Sequence, residues 1–371
     1  MASFVVIERI LERARWAPSG DNTQPWRFSI LSEDHVVVYG SDTRRSVVYD
    51  LCGHASQLAI GILLEYISIA ASAEGLTTAI TRRPSPEKDE NTEHPIFDIF
   101  LSKAVSFDPD PLSPFLESRS VNRGLFGMRP LSSKDKKALE EFLPVGYSLF
   151  WLEGWVKRVE MAYLNQLSGK LRLSIPEAYS VHKKIIEWNA RTSIDRVPDQ
   201  ALGLSPLVLP LMRWIMESWT RVCFFNRFLG GTIIPRLQLD ILPALFCSAH
   251  CFLLAPSPPN SLDSYVTGGR AVARFWLGCE ALGLSVQPEM TPLIFRSYFQ
   301  KKIKFSIFPN TMELAGVISN KLDKIGDVMT DRAIFLGRIG WDRQPFSRSL
   351  RRPLTDLMQE GNFKTIQNLF L

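Results

Sequence analysis

A chain of 371 residues, 46% hydrophobic and 22% charged, is long enough for one large or two modest domains and too apolar to be disordered. Its net charge of +5 suits an anionic cofactor or substrate and falls well short of a nucleic-acid-binding face, so no nucleic-acid partner is expected. Five cysteines (Cys52, Cys223, Cys247, Cys251 and Cys279) lie in apolar surroundings without a regular framework, which predicts reduced, buried thiols in a cytoplasmic protein.

Val6, Ile7, Ile10, Leu11 and Ala14 mark an amphipathic first helix, ended by Pro18 and Gly20. Glu8 and Glu12 interrupt its apolar pattern, so a signal peptide is not expected. Two short strands around a polar turn follow in "RFSILSEDHVVVYG". Residues 51–76 then read as a long helix, apolar nearly all round, with Gly75 as its C-cap and a strand near 77–82 behind it. Gln57 and Glu65 break this run, and Arg213 with several prolines breaks the apolar run 202–216, so no membrane partner is expected. The charged, proline-bearing stretch 82–95 reads as loop, and "IFDIFLS" as a strand.

A second unit starts near residue 111. "SSKDKKALEEFL" opens on an N-cap pattern and "YSLFWLEG" is strand-like. Residues 153–240 are mostly helical, with Trp155, Trp188, Trp214 and Trp219. "ALFCSAHCFLLAP" has strand length. The stretch 268–288 repeats the order of 53–82, a long helix ended by a Gly-Leu pair and followed by a strand. "RAIFLGRIGW" is a further strand, and the tail gathers Arg343, Arg348, Arg351 and Arg352.

Three stretches carry polar chemistry. In "RWAPSGDNTQPWRF" Pro18 and Pro25 fix the backbone, Gly20 frees it, and Ser19, Asp21, Asn22, Thr23 and Gln24 offer donors and acceptors. On pattern alone this is equally a ligand cradle or a helix cap turning into a strand, with Trp26 in the core. "SRSVNRGLFGMRPL" places Arg119, Ser120, Asn122 and Arg123 within five residues, a set suited to phosphate or to plain solvation. The arginine-rich tail has the same two readings. "CSAHC" has too few ligands for zinc and an apolar context; alternation along a strand would put Cys247 and Cys251 on one face and His250 on the other.

Together the three stretches resemble the FMN-dependent nitroreductase superfamily. Ala17, Pro18, Ser19, Asn22, Gln24, Pro25 and Trp26 match that family's Ala-Pro-Ser loop without a gap, over a likeness that covers 1–80, 115–135 and 243–355. The resemblance implies that Pro18, Ser19, Asn22 and Gln24 bind FMN. Arg119, Ser120, Asn122 and Arg123 would hold the flavin phosphate and ribityl chain, although Val121 stands where the family usually has a hydroxyl. Val286 to Glu289, with Pro288 and Glu289 as the site residues, lie where the family passes beside the isoalloxazine ring, and Arg351 and Arg352 belong to its basic closing segment.

The order is unusual, because the arginine-rich segment follows the loop by about a hundred residues instead of preceding it. Ordinary members are domain-swapped homodimers, and fusing two such units would give this order. The resemblance therefore implies an α+β fold with an antiparallel sheet of four or five strands and a long central helix in each half. The halves would be residues 1–110 and 111–371, the second with a helical insert at 153–240 that could serve as a lid. It further implies one FMN per chain, a monomer built as an internal pseudo-dimer with further dimerisation open, and no catalytic side chain. The implied activity is hydride transfer from NAD(P)H through the flavin to a nitro, quinone or conjugated small molecule. A biosynthetic oxidase or dehydrogenase, a flavin-sequestering protein and a cofactor-free partner-binding module remain as alternatives.

Overall fold

The computed structural model describes residues 4–84 and 92–359; part of the expected loop 82–95, residues 85–91, lies outside them. Helix α1 (Phe4–Ala14) buries Ile7, Ile10, Leu11 and Ala14, the stripe its spacing predicts. Strands β1 (Trp26–Ser32) and β2 (His35–Gly40) are joined by the two residues Glu33 and Asp34. Helix α2 (His54–Ala73) begins where Asp50 Oδ1 accepts the Ala55 amide at 2.7 Å, satisfying an otherwise open helix donor. It is long and apolar enough to cross a membrane, yet it is buried in the interior. Gly75, at φ 71°, releases the chain into β3 (Leu76–Arg82), which pairs with β4 (Ile96–Lys103). All pairings are antiparallel, in the order β1-β2-β4-β3.

Helix α3 (Ser133–Glu141) opens on a capping box of Ser132 and Asp135. Strand β5 (Ser148–Leu152) leads into α4 (Gly154–Arg172), α5 (Pro176–Ile185), α6 (Leu209–Met216) and α7 (Trp219–Phe228). Then come β6 (Ala249–Leu254), α8 (Leu262–Ala281), β7 (Leu284–Pro288), α9 (Thr291–Gln300), α10 (Thr311–Gly326) and β8 (Ala333–Trp341). The second sheet is again antiparallel, in the order β7-β8-β6-β5. Written from the first strand of each unit, both sheets follow one plan: hairpin, long helix, hairpin, with the last strand inserted beside the second.

The two long helices cross backbone to backbone. A Cβ on Gly61 would overlap the carbonyl oxygen of Val266, and one on Gly269 would overlap that of Leu58. The second unit also sends its tail to the first, where Met358 bridges Phe28; within the second unit Val121 bridges Val286 and Gly127 bridges Trp341.

The structure amends three sequence expectations. Within the apolar run 244–256 only Ala249–Leu254 is strand, because residues 242–245 form a helical turn. Cys247 precedes that strand, so alternation does not place it, and its Sγ lies 3.5 Å from His250 Nε2. All five thiols are free, but Cys52 and Cys223 are only half-buried.

Candidate functional site

The loop after α1 is held in an uncommon backbone state. Asp21 (φ 52°), Asn22 (φ 60°) and Gln24 (φ 49°) all occupy the left-handed region, which costs free energy for residues with a Cβ. Local bonds hold the turn: Ser19 Oγ accepts the Gln24 amide at 2.9 Å and Thr23 Oγ1 donates to Gly20 O at 3.0 Å. Distant segments complete it. Asn22 Nδ2 donates to Arg196 O and Leu350 O, each at 3.2 Å, and Gln24 Nε2 donates to Ile194 O at 2.8 Å. Gln24 Oε1 accepts the Arg352 amide at 2.9 Å. The strained turn therefore ties together the first unit, the insert and the tail, and it turns Asp21 toward the interior.

Two cavities meet at that turn. The larger, about 540 Å³, runs between α2 and α8 and is lined by Pro18, Ser19, Leu58, Val121, Tyr265 and Trp276 among others. The smaller, about 350 Å³, lies beneath the insert against Arg172, His182, Trp188, Met212, Met216 and Asp240. Gly20, Asp21, Arg123, Gln287, Pro288 and Met290 line both. Gln287 is fixed from behind by the fully buried Arg338, whose Nε donates to its Oε1 at 2.7 Å and whose Nη2 donates to Gly124 O at 2.6 Å.

The charges around these cavities are unevenly compensated. Asp21 has no hydrogen-bond or ion-pair partner among the described residues, and burial raises its carboxyl to about 6 against the pull of Arg123 and Arg172. Arg123 donates only to Ala201 O, at 3.1 Å. Arg172 pairs with Asp240 at 3.1 Å, and its Nε has no partner. His182 accepts from or donates to Tyr49 Oη at 3.0 Å and is neutral, lowered to about 3 by burial and by Arg172. Glu289 receives Asn165 Nδ2 at 2.7 Å on one oxygen and His250 Nδ1 at 2.7 Å on the other. Burial disfavours the His250 imidazolium, but Glu289 and Cys247 outweigh it and raise the group to about 10. His250 therefore stays charged and holds Glu289 at the cavity edge.

Behind Trp276 stands a cluster of cations from both ends of the chain. Arg119 lies 4.6 Å over the Trp276 ring and donates to Tyr66 Oη at 3.0 Å and Trp16 O at 3.3 Å. Arg351 donates to Ala17 O at 2.9 Å and Leu350 O at 2.7 Å. Arg348 lies 4.9 Å over Trp16, and its buried Nε has no partner. No carboxylate pairs with Arg119, Arg348 or Arg351 among the described residues. Burial, and then Arg119, Arg348 and Arg15, lower Arg351 to about 9, so the group is still charged at neutral pH and sits among like charges.

Residues 4–48, which contain α1, the strained turn and the first hairpin, match the Nitroreductase family. The likeness to that family rests on this N-terminal segment. Over 88 residues it is 36% identical to a protein of two Mycobacterium tuberculosis strains, CDC 1551 and H37Rv, named "Putative NAD(P)H nitroreductase acg". That likeness covers 23% of this chain and 26% of the relative, so the chain spans about a quarter of the length of the curated relatives it matches. Among solved structures it is similar to a nitroreductase with bound FMN from Bacteroides fragilis, at 10% identity over 63% of this chain and 90% of that one, with a TM-score of 0.31. It is also similar to a "putative nitroreductase" from Anabaena variabilis, at 11% identity over 91% and 88%, with a TM-score of 0.44.

The residues singled out in sequence divide into three groups, with Ser120 apart from them. Pro18, Ser19, Arg123 and Pro288 line one or both cavities, and Glu289 lines the smaller. Arg119 and Arg351 stand together in the cation cluster. Gln24, Asn122 and Arg352 are taken up by protein partners, as is the Asn22 Nδ2, whereas Asn22 Oδ1 is buried without a partner among the described residues. Asn122 Nδ2 donates to Asp342 at 2.8 Å and Arg343 O at 3.1 Å, and Arg352 pairs with Asp195 at 3.2 Å. Ser120 Oγ reaches only Val121 O, at 3.4 Å.

Sequence reasoning named Asp21 among the polar groups of the turn and Gln287 within the stretch beside the ring, without a role for either, and passed over Arg172, His182 and the pair His250–Glu289 as a unit. Only Asp21 carried a signal, as the one acid in a turn otherwise built of neutral polar residues. Arg348 was visible in the tail, but nothing local distinguished it from Arg343.

Proposed function

We propose that the chain is an FMN-dependent oxidoreductase of nitroreductase type, moving reducing equivalents from NAD(P)H to a nitro, quinone or conjugated small molecule. One observation carries the reading: Arg119, Arg348 and Arg351 converge without a carboxylate, leaving a buried guanidinium nitrogen open, behind Trp276, which lines the larger cavity together with Pro18 and Ser19 of the family's loop. Such a donor set fits a phosphate monoester, since a dianion would satisfy the open nitrogen and relieve the repulsion among the arginines.

In this reading Arg119, Arg348 and Arg351 hold the phosphate. Pro18, Ser19, Arg123, Gln287 and Pro288 bound the space for the ring, with Gln287 kept in place by Arg338. Bound FMN supplies the hydride and electron chemistry. Arg123 places positive charge at the cavity edge, and Asp21, with its carboxyl near 6, can hold or release a proton where the two cavities join. Trp188, Met212 and Met216 wall the smaller cavity with apolar surface, which favours a flat, largely apolar acceptor and excludes water from it.

The repeated sheet order and the reach of the C-terminal tail to β1 support reading residues 1–110 and 111–371 as two fused nitroreductase-like halves, with residues 153–240 as lid. In this reading the chain is a monomer, and one composite site uses the loop of the first half with the arginines of both.

The test is the absorbance spectrum of the purified chain, with flavin released by heat and counted per chain, followed by stopped-flow mixing with NADH and NADPH. One FMN per chain, reduced by one of the nucleotides, is expected. Two flavins per chain would overturn the single composite site. A flavin that dithionite reduces and neither nucleotide does would replace the reductase reading with flavin sequestration.

A further inference from the structure

The insert presents an apolar, cationic face that the proposed chemistry does not use. Helices α6 and α7 bury one side in a small cluster of their own around Ile215, Met216 and Val222. Their other side, with the chain on either side of it, exposes large apolar groups: Leu207 (91%), Trp214, Phe224, Phe228 (63%), Ile233 (59%) and Ile234. Scattered single exposed hydrophobics are ordinary, but Trp214, Phe224 and Phe228 are joined through ring contacts that run by way of Phe225, so they form one uncovered patch. Arginines edge it. Arg213 and Arg227 are exposed and form no ion pair among the described residues, and Arg227 lies 5.4 Å over the Phe228 ring. Arg221 lies 4.5 Å over Trp214. The two acids of the region are already engaged, Glu217 with Arg221 and Asp240 with Arg172.

Charge decides among the occupants. In a symmetric pair of chains the same face is used twice, so Arg213 and Arg227 of both copies would enter one interface with no free acid on either face to neutralise them. An anionic lipid surface answers both features at once. Tryptophan and phenylalanine settle at headgroup depth, aliphatic side chains enter the acyl boundary, and arginines bond lipid phosphates. We propose that the α6–α7 face of the insert is a peripheral docking surface for an anionic membrane. Such a contact needs no spanning segment, so it revises the sequence-based expectation that no membrane is a partner. It does not depend on whether the chain binds flavin.

The test is flotation of the full chain with vesicles of phosphatidylcholine alone and with roughly one-third phosphatidylglycerol. The chain is expected to float with the anionic vesicles and not with the neutral ones, and to be released by high salt. Arg213→Glu with Arg227→Glu is expected to weaken partitioning by about thirtyfold or more, at roughly a factor of five per basic residue lost. Phe224→Ser with Phe228→Ser is expected to abolish it. Both pairs are exposed, so the thermal midpoint should stay unchanged and show that the variants are folded. No flotation with anionic vesicles, or flotation indifferent to both double variants, would overturn the proposal. So would a concentration-dependent dimer that the same variants dissolve while vesicles leave the chain unbound.

Discussion

The first sheet closes its opening hairpin with Glu33 and Asp34, whereas the strands in the same positions of the second sheet, β5 and β6, are separated by residues 153–248. The strand pairing survives the difference, running without a shift from Ser148 opposite Leu254 to Leu152 opposite His250. A hairpin turn sits at the surface and leaves the ladder intact when lengthened, which makes it a place where a fold accepts a large insertion. What the insertion adds is lining: Asn165, Arg172, His182, Trp188 and Met212 border the smaller cavity, to which the first unit contributes Gly20, Asp21, Thr23 and Pro25. The two units share a plan and divide the labour: the plain one provides the strained turn, and the elaborated one provides the charges that surround it.

Three experiments would break or sharpen that comparison. The largest effect belongs to the seam the units share. Gly61→Ala and Gly269→Ala each push a methyl into the opposite helix's carbonyl, and each should cost about 4 kcal/mol in urea unfolding. Gly268→Ala faces only the movable Cδ1 of Ile334, at 3.0 Å, and should cost less than about 1 kcal/mol. Clearly unequal costs for the first pair would show that the seam is not symmetric in energy.

The second experiment addresses the elaborated unit. His250 is raised from 6.5 to about 10, so its stabilising effect is complete below pH 6.5 and is lost as pH rises through about 10. His250→Gln leaves Glu289 without its buried cation and should cost about 3 kcal/mol at pH 7. Unfolding measured across this window should lose its downward slope in the variant; an unchanged slope would assign it to another group.

The smallest effect belongs to the plain unit. Asp21 is raised from 3.8 to about 6, so stability falls as pH climbs between those values, and the penalty is fully present above them. Asp21→Asn, which tolerates the left-handed backbone, should stabilise the chain by about 2 kcal/mol at pH 7 and hardly at all near pH 4. Equal stabilisation at both pH values would mean that the gain comes from packing and not from charge. With the expected outcome, the two units contribute pH dependence in separate windows, one acidic and one alkaline.

Much of the fold was legible because its signals are local. The stripe of Ile7, Ile10 and Leu11, the Ser132 cap, the release at Gly75 and the Gly-Leu ends of both long helices each act within a few residues. The run around Cys247 was misread for the complementary reason. Continuous apolar sequence does not distinguish a buried strand from a buried helical turn, and packing decided where one became the other.

At the site, residue type was legible and partner was not. Asn22 and Gln24 carry the right groups for a ligand, but their amides are taken by carbonyls of residues 194, 196 and 350. The turn's chemistry, the arginine-rich stretches and the doubled order of elements were determined by the sequence itself, since composition and periodicity need no knowledge of distant neighbours. Only the tertiary structure decided that Arg348 joins Arg119 while Arg352 turns to Asp195, and that Asp21 stands unpartnered between two cavities. Those outcomes depend on which segments pack against which, and the strength of a charge in a protein is set by what surrounds it more than by its place along the chain.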